Sequence, residues 1–402
     1  MFSKRSRGFA QVTNALYRKR DALLARGEEI ADLTSGSVHP TLRYPRQPLE
    51  AALRAGAQQA EIYRPDPLGQ RIAREAVQDY YRREGLEIPA SQIVLTPGTS
   101  VAYLNAFMLF ADAGDHILCP NPTYPLFDGI AALCGARLTS YRLSESCGWA
   151  IDFDHLRASI TPRTRAIILI SPHNPTGAVA SASEVAHLAE IAARHQIPII
   201  SDEVFCPFLF DPAPFPRPSQ TDAPLVVTLN GFSKMFALPG MKIGWMALSG
   251  DAARVKEAME RLAAISDTFL PVNEAAQFAV PAIFQEGRSF LQAYQRAILE
   301  RRQMAIEILS RAPRLMWTPP AGGFYLTFRI DQPAVDDEAA ALALLEEDHI
   351  LVHPGFFYDL TPSHLVMSFI SAPDALKTCL GQIVQRFAPS SPGPHRPLLP
   401  GS

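Results

Sequence analysis

Read from its N-terminus, the chain first shows helically spaced apolar positions over 11–24, ending near Gly27. A Pro-interrupted arm, IADLTSGSVHPTLRYP, follows and reads as extended. Helical period returns over 48–59 and 68–83, on either side of the turn-rich string IYRPDPLG. From there short apolar runs alternate with helical stretches. Strands are expected over 93–95, 117–119, 137–143, 166–170, 197–201, 226–229 and 243–248, and helices over 99–110 and 126–134. A further helix opens at Ser181, where Ser181-x-x-Glu184 has the form of a capping box. The run 226–229 is expected to break at Asn230-Gly231. This alternation predicts an α/β fold with a mostly parallel sheet flanked by helices, its strand C-terminal ends facing a ligand.

After Asp251 the pattern changes. Helices are expected over 252–265, 286–310, 338–348 and 375–386, with strands over 322–328, 350–353 and 365–370. Such a mixture suggests a smaller α+β domain formed by the N-terminal arm and the C-terminal part. The expected division is 1–44 for the N-terminal helix and arm, 45–285 for the large domain and 286–388 for the C-terminal small domain. The Pro-rich stretch 389–402 (PSSPGPHRPLLPGS) reads as a disordered tail. No internal repeat is found.

At 402 residues the chain suits two domains rather than one small core. A hydrophobic content of 48% with 19% charged residues is globular, and a net charge of −3 argues against a nucleic-acid or membrane-surface partner. The five cysteines are scattered without CxxC or zinc-ligand spacing, which fits a reducing cytoplasm. The basic N-terminus has no apolar core of a signal peptide, and no run approaches the length of a membrane span, so a cytoplasmic protein is expected.

Candidate chemistry gathers at the ends of the expected strands. Lys234 follows the buried run at Ser233, and a lysine at a strand end can be activated by desolvation to form a Schiff base with an aldehyde. Alone, a Ser-Lys pair is more often a solvated lysine in a surface turn. Thr96-Pro97-Gly98-Thr99-Ser100 opens a helix, where free amides, the helix dipole and two hydroxyls can hold a phosphate, although the same residues simply make a good N-cap. Ser171-Pro172-His173-Asn174-Pro175-Thr176-Gly177 leaves a strand with an amide, Asn174, and Ser201-Asp202-Glu203-Val204-Phe205 ends one in a carboxylate. Asn121-Pro122-Thr123-Tyr124-Pro125 offers an aromatic ring for stacking.

The string Ser233-Lys234-x4-Pro239-Gly240-x-Lys242-x-Gly244-Trp245, with these loops in this order, resembles the pyridoxal-phosphate (PLP) dependent aminotransferases of fold type I, class I/II, over about 30–385. The resemblance implies an aspartate-aminotransferase-like fold, PLP as cofactor, and transfer of an amino group between a small amino donor and a 2-oxo acid. It gives Lys234 the Schiff base and the proton transfer, and Asp202 the pyridine nitrogen. Asn174 takes the 3-hydroxyl, with Phe205 nearby, and Tyr124 the ring face; Gly98, Thr99, Ser100, Ser233 and Lys242 take the phosphate. Tyr63 matches a tyrosine that reaches the neighbouring subunit's phosphate, implying a homodimer.

Three departures stand out. Lys242 replaces an arginine, Phe205 replaces a tyrosine, and Val366, in Val366-Met367-Ser368-Phe369, stands where an arginine holds the substrate α-carboxylate. A buried carboxylate without a partner is costly, so the substrate either lacks one or meets another cation. Candidates are Arg43, in the arm that also carries Gly36 and folds over the site in this family, and Arg329, at the end of the strand GGFYLTFR. A decarboxylase, lyase or cyclase on the same scaffold is the alternative. A ligand-sensing regulator is a third reading, disfavoured because the 44 residues before the large domain leave no room for a DNA-binding domain.

Overall fold

The computed structural model describes residues 2, 14–38, 41–211, 213–270, 272–332 and 335–388. The expected helix start at 11–13, the arm residues 39–40 and the tail 389–402 lie outside the described residues. A short strand, β1 (Ala31–Asp32), sits in the N-terminal arm. β2 (Ile93–Thr96), β3 (His116–Asn121), β4 (Arg137–Ser144), β5 (Ala150–Ile151), β6 (Thr164–Ile170), β7 (Ile199–Asp202), β8 (Leu225–Gly231) and β9 (Gly244–Gly250) form one eight-stranded sheet, in the order β2-β9-β8-β7-β6-β3-β4-β5. The neighbours from β8 through β7, β6 and β3 to β4 are parallel. β9 runs antiparallel to both β2 and β8, and β5 antiparallel to β4.

Parallel neighbours require crossovers, and helices supply them: Leu126–Cys134 between β3 and β4, Ala182–His195 between β6 and β7. The second begins with the expected capping box, in which the Glu184 amide donates to Ser181 Oγ and the Ser181 amide to Glu184 Oε2. Because β9 reverses direction twice over, β2 ends at the same edge as β8. Thr96 and Gly231 both stand opposite Gly244, with Asp202 one strand further and opposite Leu229. The carboxyl ends of β2, β6, β7 and β8 therefore share one rim.

The C-terminal part holds β10 (Leu315–Trp317), β11 (Tyr325–Ile330), β12 (Ile350–Leu351), β13 (His353–Pro354) and β14 (His364–Ser368). β10, β11, β14 and β13 make an antiparallel sheet; the helix Asp337–Glu347 contacts β13 and β14, and the helices Arg288–Leu309 and Pro373–Arg386 pack on each other. β12 pairs in parallel with β1, which ties the arm to this part as expected.

Three local expectations differ from the structure. The strand expected over 350–353 is two, because β12 pairs with the arm while His353 and Pro354 pair with β14. β8 does not break at Asn230-Gly231: Gly231 faces Gly244, so no side chains oppose the continued ladder, and Asn230 Oδ1 accepts the Gly231 amide. The helix Glu274–Glu286 escaped the pattern because Pro281 lies within it. Asn273 caps it, its side chain accepting from the Ala276 amide.

Beneath the rim, Glu203 and Arg217 form an ion pair with Nε–Oε2 at 2.9 Å; Glu203 is fully buried and Arg217 5% exposed. Removing one partner strands the other charge away from water. Arg217→Ala is expected to lower unfolding free energy by about 3–5 kcal/mol, measured by urea denaturation. A loss below about 1 kcal/mol would mean that the pair behaves as an exposed one.

Candidate active site

The short helix Phe232–Met235 continues directly from β8. Phe232, Met235 and Phe236 are buried, and the two phenylalanines pack on each other and on Phe284, with Phe232 also edge-on to Trp245. Each such aromatic pair contributes about 0.5–1.5 kcal/mol beyond its buried area. The apolar side of the turn is thus anchored, and Ser233 and Lys234 are left to face a cavity at the sheet rim.

That cavity is lined by Lys234 together with Asp202, Asn174, Tyr124, Thr99 and Ser233, brought from five different chain segments. Lys234 Nζ donates to the Gly36 carbonyl at 3.0 Å and lies 5.7 Å from the ring centre of Phe205 and 5.8 Å from that of Phe324. Burial pushes the Lys234 amine down to about 8, and the Asp202 charge opposes only part of that shift. A Cβ at position 36 would sit 2.5 Å from Lys234 Nζ and 2.8 Å from Tyr325 Oη, so a side chain there would push both tips aside. The arm thus reaches the lysine through backbone, and glycine lets it do so without displacing either group.

Asp202 ends β7 and is 7% exposed. Its Oδ2 accepts from the Tyr103 hydroxyl at 2.7 Å and its Oδ1 from the Val204 amide at 3.1 Å. Burial raises its pKa, while those two hydrogen bonds and Lys234 work in the opposite direction. The helix Thr99–Phe110 begins at Gly98, whose φ of 105° suits glycine. A Cβ on the facing Gly244 would lie 2.9 Å from Gly98 Cα, so this helix start is pressed against β9 by two glycines. Val101 and Ala102 donate to the Gly98 carbonyl, and the earlier amides of Thr99 and Ser100 have no acceptor within the helix.

These features fit PLP. Asn174 Oδ1 is buried with no partner, and the amide can turn either end towards a ligand oxygen. Asp202 is a buried anion that a protonated ring nitrogen would complement, and the helix start offers amides to a phosphate.

Other expected residues are placed differently. Lys242 and Ser100 are exposed, and neither they nor Gly98 line the cavity. Tyr63 is 69% exposed and borders a separate groove with Leu270 and Val272. Arg43 is exposed on the arm and does not line the cavity. Arg329 contacts Glu145 at 3.4 Å and Asp331 at 3.8 Å, also outside the cavity. Phe205 does line it, buried and edge-on to Phe324 at 4.9 Å. Two residues went unread in the sequence. Tyr103 lies one helical turn after Thr99, a spacing that puts both on one face, and Tyr325 begins β11 in the string GGFYLTFR.

Comparison with known proteins bears on the whole chain. The family model described as "Aminotransferase class I and II" matches residues 32–380. The glutamate-pyruvate aminotransferase AlaA of Escherichia coli (strain K12) is 30% identical over 330 residues, 80% of this chain and 81% of that protein. The aspartate/prephenate aminotransferase of Thermus thermophilus is 30% identical over 382 residues, 94% of this chain and 95% of that protein. Among solved structures, an alanine aminotransferase from Pyrococcus furiosus superposes with a TM-score of 0.89 at 26% identity, covering 96% of this chain and 99% of that one.

The lowered Lys234 value predicts a pH profile. Only the unprotonated amine is nucleophilic, so capture of PLP by unloaded protein is expected to be half-maximal near pH 8. In Asp202→Asn the midpoint moves lower, because the charge that favours the protonated amine is gone. A midpoint at the ordinary lysine value of about 10.4, or an upward shift in the variant, contradicts this electrostatic account.

Proposed function

The chain belongs to the class I and II aminotransferases, PLP-dependent enzymes of fold type I, and from that premise we propose which of its residues carry the transfer and between what. It is a transaminase acting on small amino and oxo compounds. The relatives lend no support to the decarboxylase, lyase or cyclase alternative. The observation that carries the residue assignment is the convergence of Lys234, Asp202, Asn174 and Tyr124 on one cavity at the sheet rim.

When bound, PLP supplies an electron sink for negative charge at the reacting carbon of the substrate. The protein's part is positional and acid–base. Lys234, with its amine near neutral pKa, holds the cofactor before substrate arrives and afterwards moves a proton at the reacting carbon. Asp202, fixed by Tyr103 and Val204, would keep the ring nitrogen protonated. Asn174 would meet the ring hydroxyl, and Tyr124 would stack on the ring. The Thr99 and Ser100 amides, Gly98, the Ser233 hydroxyl and Lys242 would hold the phosphate. Phe205 supplies no hydroxyl, so it confines the lysine rather than bonding the ring. The donor is an amino acid and the acceptor a 2-oxo acid.

A homodimer with shared sites follows from Tyr63. Its ring is exposed beside Ile62, and Phe269, adjoining the Leu270 that borders the Tyr63 groove, is 74% exposed; a second copy would cover them. No helix among the described residues is long and apolar enough to cross a membrane; the cytoplasmic setting expected from the scattered cysteines is part of this proposal.

Mixing tests both assignments together. Lys234→Ala and Tyr63→Ala are each expected to lose at least about tenfold in turnover, a loss of at least about 1.4 kcal/mol in transition-state stabilisation. Co-refolded, they are expected to regain activity, because a hybrid dimer holds one site with both residues intact. No recovery in demonstrably mixed dimers would place Tyr63 outside the neighbour's site.

A further inference from the structure

Tyr103 is buried in the helix Thr99–Phe110, one turn beyond Thr99, and its side chain lines the Lys234 cavity. Its ring is gripped edge-on by Phe127 at 4.8 Å and by Phe107 at 6.2 Å. Its hydroxyl donates to Asp202 Oδ2 at 2.7 Å. Among the described residues it is the one side chain that hydrogen-bonds to that carboxylate, whose Oδ1 accepts from the Val204 amide. Burial holds the Tyr103 phenol well above its ordinary pKa, and the Asp202 charge acts in the same direction, so the hydroxyl keeps its proton and is the donor. The other titratable groups near Asp202 are set differently. Lys234 and Tyr124 face the same cavity without a hydrogen bond to it, and Glu203 is paired with Arg217.

A carboxylate and a protonated ring nitrogen share one proton, which rests on whichever partner is the more basic. Away from water the neutral arrangement, with the proton on the carboxyl, gains ground because desolvation penalises both charges of the ion pair. Burial raises the Asp202 pKa for that reason. A hydrogen bond to the charged form works against it. An O–H donor on an ionised oxygen makes one of the stronger hydrogen bonds, and the short Tyr103 contact is of this kind. Lys234 also favours the charge, but only while its amine is protonated, whereas the phenol donates throughout the neutral range.

We propose that Tyr103 is a positioning residue acting through Asp202: by donating to Oδ2 it keeps the carboxylate ionised, so that the proton shared with bound PLP rests on the ring nitrogen. This rests on the reading of the Lys234 cavity as the PLP site. No proton is gained or lost overall; one proton sits on nitrogen rather than on oxygen. A positively charged ring is the stronger electron sink, so Tyr103 sets the reactivity of the cofactor without touching the substrate. Phenylalanine at this position keeps the ring between Phe107 and Phe127 and removes the donor alone.

The test follows the nitrogen NMR resonance of isotopically labelled PLP in the intact holoenzyme, which distinguishes a protonated from a neutral ring. Wild type is expected to show the protonated form at neutral pH, and Tyr103→Phe to shift the signal towards the neutral one. With that shift kcat is expected to fall about tenfold while the KM of the amino donor changes little. A second measurement needs no cofactor. In unloaded protein the infrared band of the protonated Asp202 carboxyl is identified by its loss in Asp202→Asn. That band is expected to persist to higher pH in Tyr103→Phe than in wild type, because the lost hydrogen bond favoured the charged form. A fluorinated tyrosine in place of Tyr103 is a stronger donor and is expected to move the infrared midpoint the opposite way; it serves as the readout should the phenylalanine variant not fold. A neutral ring in wild type, or a nitrogen signal or infrared midpoint that these changes leave unmoved, overturns the proposal, even where activity falls. A nitrogen signal that Asp202→Asn fails to move sinks the reading of the cavity itself, and this assignment with it.

Discussion

An amine kept out of water at the end of a buried strand is the constraint on which the rest of the structure depends. Every residue of β8 is buried, and the strand hands over to a single helical turn whose phenylalanines lock into the aromatic cluster of Trp245 and Phe284. That anchorage leaves Lys234 one direction to point, into a cavity where the ring of Phe205 and a backbone carbonyl replace solvent. Desolvation there disfavours the ammonium form, which brings the amine to about 8 and makes it usable near neutral pH. A lysine in a surface turn would have the same sequence neighbours and none of this reactivity.

The cost of that dry environment is distributed over a few buried charges, each handled differently. Asp202 is held by a phenol and an amide rather than by a cation, so its negative charge remains available to a protonated ring nitrogen. Glu203, the next residue, is neutralised by Arg217 and points into the structure beneath the rim, which keeps the second carboxylate of the pair out of the cavity. Arg301 has no described carboxylate partner, and its Nε and Nη1 make no hydrogen bond among the described residues. The sheet makes this sorting possible, because successive strands end at one edge while their side chains alternate between faces.

Much of this was legible from the chain. The Ser233-Lys234 turn, the Asp202 strand end, the Asn174 loop and the Thr99 helix start are local signals, each a strand or helix terminus with a polar residue, and the structure brings all four to one cavity. The capping box at Ser181 was readable for the same reason. What was not legible depends on long-range packing. Tyr103 looked like one more apolar position of a buried helix until Asp202 was placed against it. Arg301 sits among the charged residues of a long helix, and only burial against the arm and Tyr294 separates it from its exposed neighbours. Arg43 and Arg329 were suggested by their place in the chain, but neither lines the cavity. The helix carrying Pro281 and the division between β12 and β13 were hidden because tertiary pairing overrode the local pattern.

The central claim is that Lys234, among the lysines of this chain, is the one made reactive by its surroundings. Borohydride reduction of the PLP-loaded protein, followed by proteolysis and mass mapping, tests this most directly. The account predicts one stably modified peptide, containing Phe232, Ser233 and Lys234, and loss of that modification in Lys234→Ala. Stoichiometric modification at Lys242 or any other lysine, with Lys234 untouched, would contradict it.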